Sequence, residues 1–372
     1  MKRILVLAVG AVLALGAAAQ PEAKRYDVLE LPAVPSAIAA QSLGFSLTRA
    51  GERLIATGIR GHILYSDDQG HSWTQAESVP VRSSLLDASF VSPEQGWVVG
   101  HEGVVLRTRD GGRTWTRQLD GVQLARIGLE HYRTLAAQHP DDARYALLLE
   151  EMQLALDGNA DRPFFGILMR DEREGIAAGA YGLLFATVDG GDSWQPVMER
   201  LDLEQYVHLF AHAELPAAGD GAPTRVLAGE MGTILVEDPA SGEWRRQEFP
   251  YDGSMFTIVA TGEGALVAGG LRGLVFRSED RGASWSEVGK PQTPAIVAAT
   301  TLADGRVVLA AQDGTLLASG DDGRRFELLP VAAQTPVSDL IEGRTGELVL
   351  SGAFGLRVID IGEAERLSAA AR

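Results

Sequence analysis

A short segment recurs along this chain at a near-constant interval, and a regular repeat of this length restricts the fold more than any local propensity. Each copy opens on a Gly-x-x-Gly turn. It continues through an apolar run and closes on Ser/Thr-x-Asp-x-Gly-x-x-Trp/Phe. The first copy runs from Thr57 to Trp73 and carries Asp68, Gly70 and Trp73. The second carries Asp110, Gly112 and Trp115, and the third Asp189, Gly191 and Trp194. The fifth carries Asp280, Gly282 and Trp285, and the sixth Asp321, Gly323 and Phe326. The fourth is degraded and ends in Trp244, and the seventh fades after Gly355. The second glycine of each turn falls at 61, 103, 182, 232, 273, 314 and 355. Four of the six intervals are 41 or 42 residues, the length of one four-stranded propeller blade.

Within the second unit the strands are expected at Leu85–Val91, Gly96–Gly100, Gly103–Thr108 and Trp115–Leu119, from short apolar runs broken by glycine turns. Seven units predict an all-β, seven-bladed β-propeller occupying residues 20–372. The last unit ends near Ile361 without its own outer strand. The apolar-alternating segment 26–31 is expected to supply that strand and close the ring, which would remove exposed sheet edges.

Two intervals are long. The one of 50 residues is assigned to a loop at 217–223. The one of 79 holds residues 121–162, which match no blade. Leu124, Ile127, His131 and Leu135 recur there at helical spacing, and Asp141-Asp142 offers a second helix start before Tyr145, Leu148, Met152 and Leu156. A helical hairpin inserted between blades 2 and 3 follows. It joins an outer strand to the next inner strand, on the face that holds the Gly-x-x-Gly turns, and is read as a lid, a docking element or a plain cap.

The N-terminus reads as an address. Lys2-Arg3, the apolar run Ile4–Leu15 and Ala17-Ala18-Ala19 form a secretory signal peptide over 1–19, with cleavage near Ala19. No later stretch is apolar enough to span a bilayer as a helix, so a soluble periplasmic protein with no membrane insertion is expected. The chain has no cysteine, which excludes disulfides, thiolate metal sites and lipidated cysteines. With 33 basic and 50 acidic residues, net −17, it makes a poor phosphate binder, which argues against nucleic acid. There is no phosphate loop and no nucleophile elbow. His208 and His212 have a helical metal-ligand spacing, but the repeat places them on an inner strand, about 13 Å apart and too far to share an ion. No cofactor and no metal are expected, and the protein is read as a monomer.

The repeated aspartates would look catalytic in isolation. Five copies in one turn type read instead as structural, with hydroxyl and carboxylate accepting turn amides and glycine supplying the backbone angle. Binding is assigned to the opposite face. There the pairs inside the Gly-x-x-Gly turns differ from blade to blade, and the outer-to-inner connections add Arg82, Phe164, Tyr206 and Met255. Arginine and aromatic residues anchor interfaces, which selects Arg60, Arg82, His101, Tyr181, Arg272 and Phe354.

With these boxes the chain resembles the BNR/Asp-box propellers, and within them the photosystem II stability/assembly-factor-like family. The resemblance rests on Gly96-Trp97-Val98-Val99-Gly100 with Gly103 and the Thr108–Trp115 box, and on Ala178-Gly179-Ala180-Tyr181-Gly182 with Asp189-Gly190-Gly191. The helical insertion and signal peptide resemble its proteobacterial, non-photosynthetic branch. The resemblance implies a non-enzymatic scaffold that assists assembly, stability or operation of a membrane or envelope complex. Because that branch often accompanies RND-type exporters, such an exporter is one implied partner. Sialidases also carry Asp boxes, so a sialidase-like glycoside hydrolase or carbohydrate-binding propeller is the alternative. It would need three clustered arginines beside a Tyr–Glu pair, and the usual Phe/Tyr-Arg-Ile-Pro motif is absent. An aromatic or uncharged face beneath the insertion would favour the scaffold.

Overall fold

The computed structural model describes residues 28–158, 161–217, 222–289, 293–330 and 335–362. The expected signal peptide at 1–19 and part of the loop expected at 217–223 lie outside them. Seven antiparallel sheets follow one another along the chain, six of four strands and the last of three, each ordered from its first strand to its last. The first comprises Gly44–Ala50, Arg53–Gly58, Ile63–Ser66 and Thr74–Gln75. The inner strands of the others are Leu85–Phe90, Phe164–Met169, Leu209–Leu215, Met255–Ala260, Ile296–Thr301 and Val337–Glu342. This is the seven-bladed propeller that the repeat predicts. In blade 2 the strand bounds agree with expectation to within two residues.

The second strand of each blade is the most enclosed. Gly96–Gly100, Gly175–Gly179, Leu266–Gly270 and Val307–Ala311 are buried at every position, because both faces pack on neighbouring blades. The core is therefore a chain of interblade layers. Trp97, Phe185 and Phe276 fill it among Leu, Ile and Val.

The closing strand expected at 26–31 is not formed by its described part. Val28–Leu31 make a turn, and residues 26 and 27 lie outside the described set. The backbone of this segment is taken elsewhere. Arg82 N–H donates to the Val28 carbonyl (2.7 Å), the Arg117 guanidinium to Leu29 (2.8 Å), and Ala33 N–H to Val79 (2.9 Å). These bonds tie it to the junction of blades 1 and 2, remote from the seventh sheet. Blade 7 meets blade 1 through side chains instead, and through one backbone bond from Leu356 N–H to the Ala40 carbonyl (2.8 Å): Asp339 Oδ2 accepts Leu47 N–H (2.7 Å), Arg49 donates to the Glu342 carbonyl, and His71 contacts Glu347 (3.0 Å).

The insertion is a helical hairpin, α1 (Gly121–Gln138) and α2 (Ala143–Asp157). Asp120 caps α1 through the Val122 and Gln123 amides, and Gln123 returns a bond to Asp120 N–H, a complete capping box. Asp142 caps α2. A Cβ at Gly128 would sit 2.4 Å from Met152 Sδ, so glycine lets the two helices close on each other. Leu124, Leu129, Tyr132, Leu148 and Met152 join the apolar layer of blades 2 and 3.

Candidate functional site

The Asp-box turns lie on one face and form a closed set of bonds. The Ser or Thr hydroxyl accepts the glycine N–H in all five copies, at 2.8–3.0 Å, and donates to the aspartate at 2.7–2.9 Å. The aspartate then accepts the amide two residues beyond the glycine, at 2.8–2.9 Å. The glycines have φ between 78° and 93°, where a side chain would be strained. Trp73, Trp115 and Trp285 each donate from Nε1 to the glycine carbonyl of their own box at 3.0 Å. The Ser72 hydroxyl and amide hold the Asp68 carboxyl down at about 2. Asp280 and Asp321 are held below the usual range by Ser284 and Ser319. Such carboxylates are committed to their turns and are poorly placed for proton transfer.

The opposite face is built differently. Arg60, Glu102, Tyr181, Met231 and Arg272 occupy the second variable position of their Gly-x-x-Gly turns with φ of 54–63°, just before a glycine that is also left-handed. A left-handed backbone at a non-glycine residue is disfavoured, and here it recurs in five blades. In blades 6 and 7 the equivalent Asp313 and Phe354 lack it.

Each inner strand begins on this face with a β-bulge. The register between the first and second strands slips once in every blade, leaving Phe45, Leu86, Phe165, Phe210, Phe256, Val297 and Ser338 as the extra residues. A bulge adds one residue without a ladder partner and re-aims its side chain. All seven are half-exposed on the innermost strands, and six are apolar, so they form a collar at the channel mouth. Phe210 lies 5.4 Å from both Phe165 and Phe256, ring centre to ring centre. His208 continues the contact outward, 5.8 Å from Phe165 and 4.7 Å from Tyr181. Tyr181 N–H donates to His208 Nδ1 (3.0 Å). The Arg162 guanidinium covers the Tyr181 ring at 4.8 Å and pairs with Glu151 of α2 at 2.9 Å. An aromatic track thus runs from the channel mouth across blades 5, 4 and 3 to the foot of the helical hairpin.

Beneath the collar is a polar layer. Ser46 donates to Asp87 Oδ1 (3.1 Å), while Asp87 Oδ2 accepts Ile167 N–H (2.9 Å) and contacts His212 Nε2 (2.8 Å). Burial pushes the Asp339 carboxyl up to about 7, with the charge of Asp87 adding to the rise. His208 lies just before the inner strand Leu209–Leu215 rather than on it, His212 lies within it, and the two have separate partners. Among the described residues no group of three or more His, Asp or Glu is arranged to hold a metal ion.

The residues singled out from sequence fall into separate groups. Tyr181, half-exposed, belongs to the aromatic track. Arg60 and Arg82 converge on one cavity at blades 1 and 2. His101 and Arg272 stand exposed on their own turns, and Phe354 is exposed beside Arg357 (5.9 Å). Phe164 and Met255 are fully buried in the core; the neighbouring Phe165 and Phe256 face the channel instead. Tyr206 is half-buried against Gly182, and burial raises its phenol to about 12.

A Tyr–Glu pair does exist, but in the wrong setting for a glycosidase. Tyr132 of α1 donates to Glu199 (3.0 Å) and accepts Met198 N–H (3.1 Å). Tyr132 is fully buried, and burial raises its phenol far above the ordinary value. A nucleophile needs the opposite shift and an open approach. The cavity shared by Arg60 and Arg82 includes neither Arg272 nor any Tyr or Glu.

Comparison with known proteins agrees with this architecture. Residues 66–133 match the family model described as "Photosynthesis system II assembly factor YCF48". The chain is 23% identical over 272 residues to the "Photosystem II assembly lipoprotein Ycf48" of Prochlorococcus marinus, covering 68% of this chain and 76% of that protein. It is 39% identical over 62 residues to the chloroplastic "Photosystem II stability/assembly factor HCF136" of Arabidopsis thaliana, covering 16% and 15% of the two chains. Among solved structures it superposes on YCF48 from Cyanidioschyzon merolae with TM-score 0.60 at 16% identity, covering 87% and 97%. It superposes on one described as "YCF48 bound to D1 peptide" with TM-score 0.59 at 16% identity, covering 86% and 92%. The protein is a propeller similar to the photosystem II assembly factors.

Proposed function

We propose that this protein is a non-enzymatic scaffold that holds a segment of a membrane or envelope protein across the channel mouth, and so assists the assembly or stability of that protein's complex. The observation that carries the reading is the aromatic track from Phe256 to Tyr181, half-exposed and ending at the helical hairpin. Half-exposed aromatic rings beside an arginine are the usual anchors of a protein interface. The hairpin borders this track as a wall and a docking element. A solved relative of the same fold was captured with a D1 peptide, which supports a polypeptide segment as the occupant. Export to the periplasm is supported by the signal-peptide pattern and by relatives described as lipoproteins, although this chain has no cysteine to carry a lipid. An RND-type exporter as the partner rests on the family resemblance alone.

The test is site-specific photocrosslinking in cells, with the crosslinker at Phe210, at Tyr181 or, as a control on the other face, at Thr114. One membrane protein is expected from the first two positions and none from Thr114. Equal recovery from both faces would overturn the reading. Sialoside cleavage by the purified chain would return the glycosidase alternative.

A further inference from the structure

A second site, independent of the aromatic track, lies on the same face at blades 1 and 2. Val28, Val34, Pro35 and Ile38 wall a cavity of about 520 Å³, and Arg60, His62 and Arg82, with Ser36 and Ser42, supply its polar groups. That volume suits a small organic molecule rather than a folded partner. His62 is 94% buried, and its Nδ1 has no hydrogen-bond partner among the described residues.

The two guanidiniums complete the picture. Arg82 is fixed by its neighbours: its N–H donates to Val28 and its Nε to the Pro32 carbonyl (2.8 Å). Its terminal nitrogens keep their donors, in a fork already oriented. Arg60 is held outward by its left-handed backbone. In a chain with 50 acidic residues, neither arginine has a carboxylate within ion-pair reach among the described residues. Burial, and then the charge of Arg60, lower the His62 pKa, so the imidazole is neutral at pH 7 and adds no third charge to the cavity.

We infer that this cavity binds a small organic acid, a single carboxylate carried on an apolar body of several carbons. The carboxylate pairs with the Arg82 fork and Arg60, and the apolar body lies along Val34, Pro35 and Ile38. One carboxylate matches two guanidiniums in bidentate geometry, and the apolar wall selects against small inorganic anions.

The probe is octanoate, titrated into the full exported chain and followed by calorimetry and by the imidazole nitrogen signals of His62. Saturable binding is expected, with a shift of those signals. Acetate, which lacks the apolar body, and octanamide, which lacks the charge, should each bind at least tenfold more weakly. Arg82→Gln and Arg60→Gln should each weaken octanoate about tenfold, while Phe210→Ala leaves it unchanged. Arg60→Gln alters an exposed side chain, and circular dichroism checks that both variants fold. Octanamide binding as well as octanoate, or octanoate binding indifferent to both arginines, would overturn the inference. So would the absence of saturable binding. None of these outcomes bears on the partner at the channel mouth.

Discussion

The two faces of the propeller use their polar and aromatic residues in opposite ways. On the Asp-box face five hydroxyls, five carboxylates and five glycines repeat one bonding scheme, and each group is satisfied inside its own turn. On the other face the glycine turns repeat but what they display does not: arginine, glutamate, tyrosine and methionine stand at the same backbone angle. Chemical repetition marks what holds each blade together, and variation on a fixed turn marks what is offered outward. A carboxylate that occurs five times in one geometry is architecture, however catalytic it looks alone.

Substitutions should separate the faces. The largest effect belongs to the box side. Trp115→Ala removes a buried indole and its bond to Gly112, and should lower unfolding free energy by about 3–5 kcal/mol in denaturant titration, with partner capture intact where the chain is folded. Phe210→Ser should do the reverse. Removing the middle ring of the aromatic track should weaken partner binding by about 2 kcal/mol, roughly 30-fold, with the melting transition near wild type. Equal losses of stability from both would break the comparison. Asp110→Ala leaves the Arg113 and Thr114 amides without their acceptor and should cost about 1–2 kcal/mol of stability and no binding.

The smallest effect is one of slope. The box carboxylates are depressed, Asp68 to about 2, so their contribution is present above the ordinary carboxylate range and is lost as pH falls toward 2. Asp339 is raised to about 7, so its contribution has the opposite sign: stability is lost as pH rises from about 4 through 7. Asp339 faces Leu47 N–H, Ser46 and the charge of Asp87. Asp339→Asn should flatten the decline of melting temperature between pH 4 and pH 8 and leave the acid limb unchanged. An unchanged slope would remove Asp339 from the account.

The blades and both helices were legible because their signals are local. Gly-x-x-Gly turns, Asp boxes and the Asp141-Asp142 helix start each act within a few residues. The closing strand was misplaced because alternation in a short segment says nothing about which edge it meets. Bonds from Arg82 and Arg117, more than 50 residues away, decide that. The mouth was missed by one residue. Phe164 and Met255 read as part of the outer-to-inner connections, but each opens an inner strand and is buried, and the bulge that follows turns out Phe165 and Phe256. The recurrence of an apolar residue at the same point of six inner strands was the available signal. Arg60 and Arg82 read as exposed cations, but their convergence needs the folded-back segment that starts at Val28.

The seven bulges have a consequence for how such a protein can change. Each collar residue is a position with no ladder partner, so replacing it alters the mouth while every strand pairing stays in place. The collar therefore works as a seven-letter word, spelled here Phe-Leu-Phe-Phe-Phe-Val-Ser around the ring. Any letter can be rewritten without editing the grammar of the blades, so descendants of one scaffold could trade partners one letter at a time.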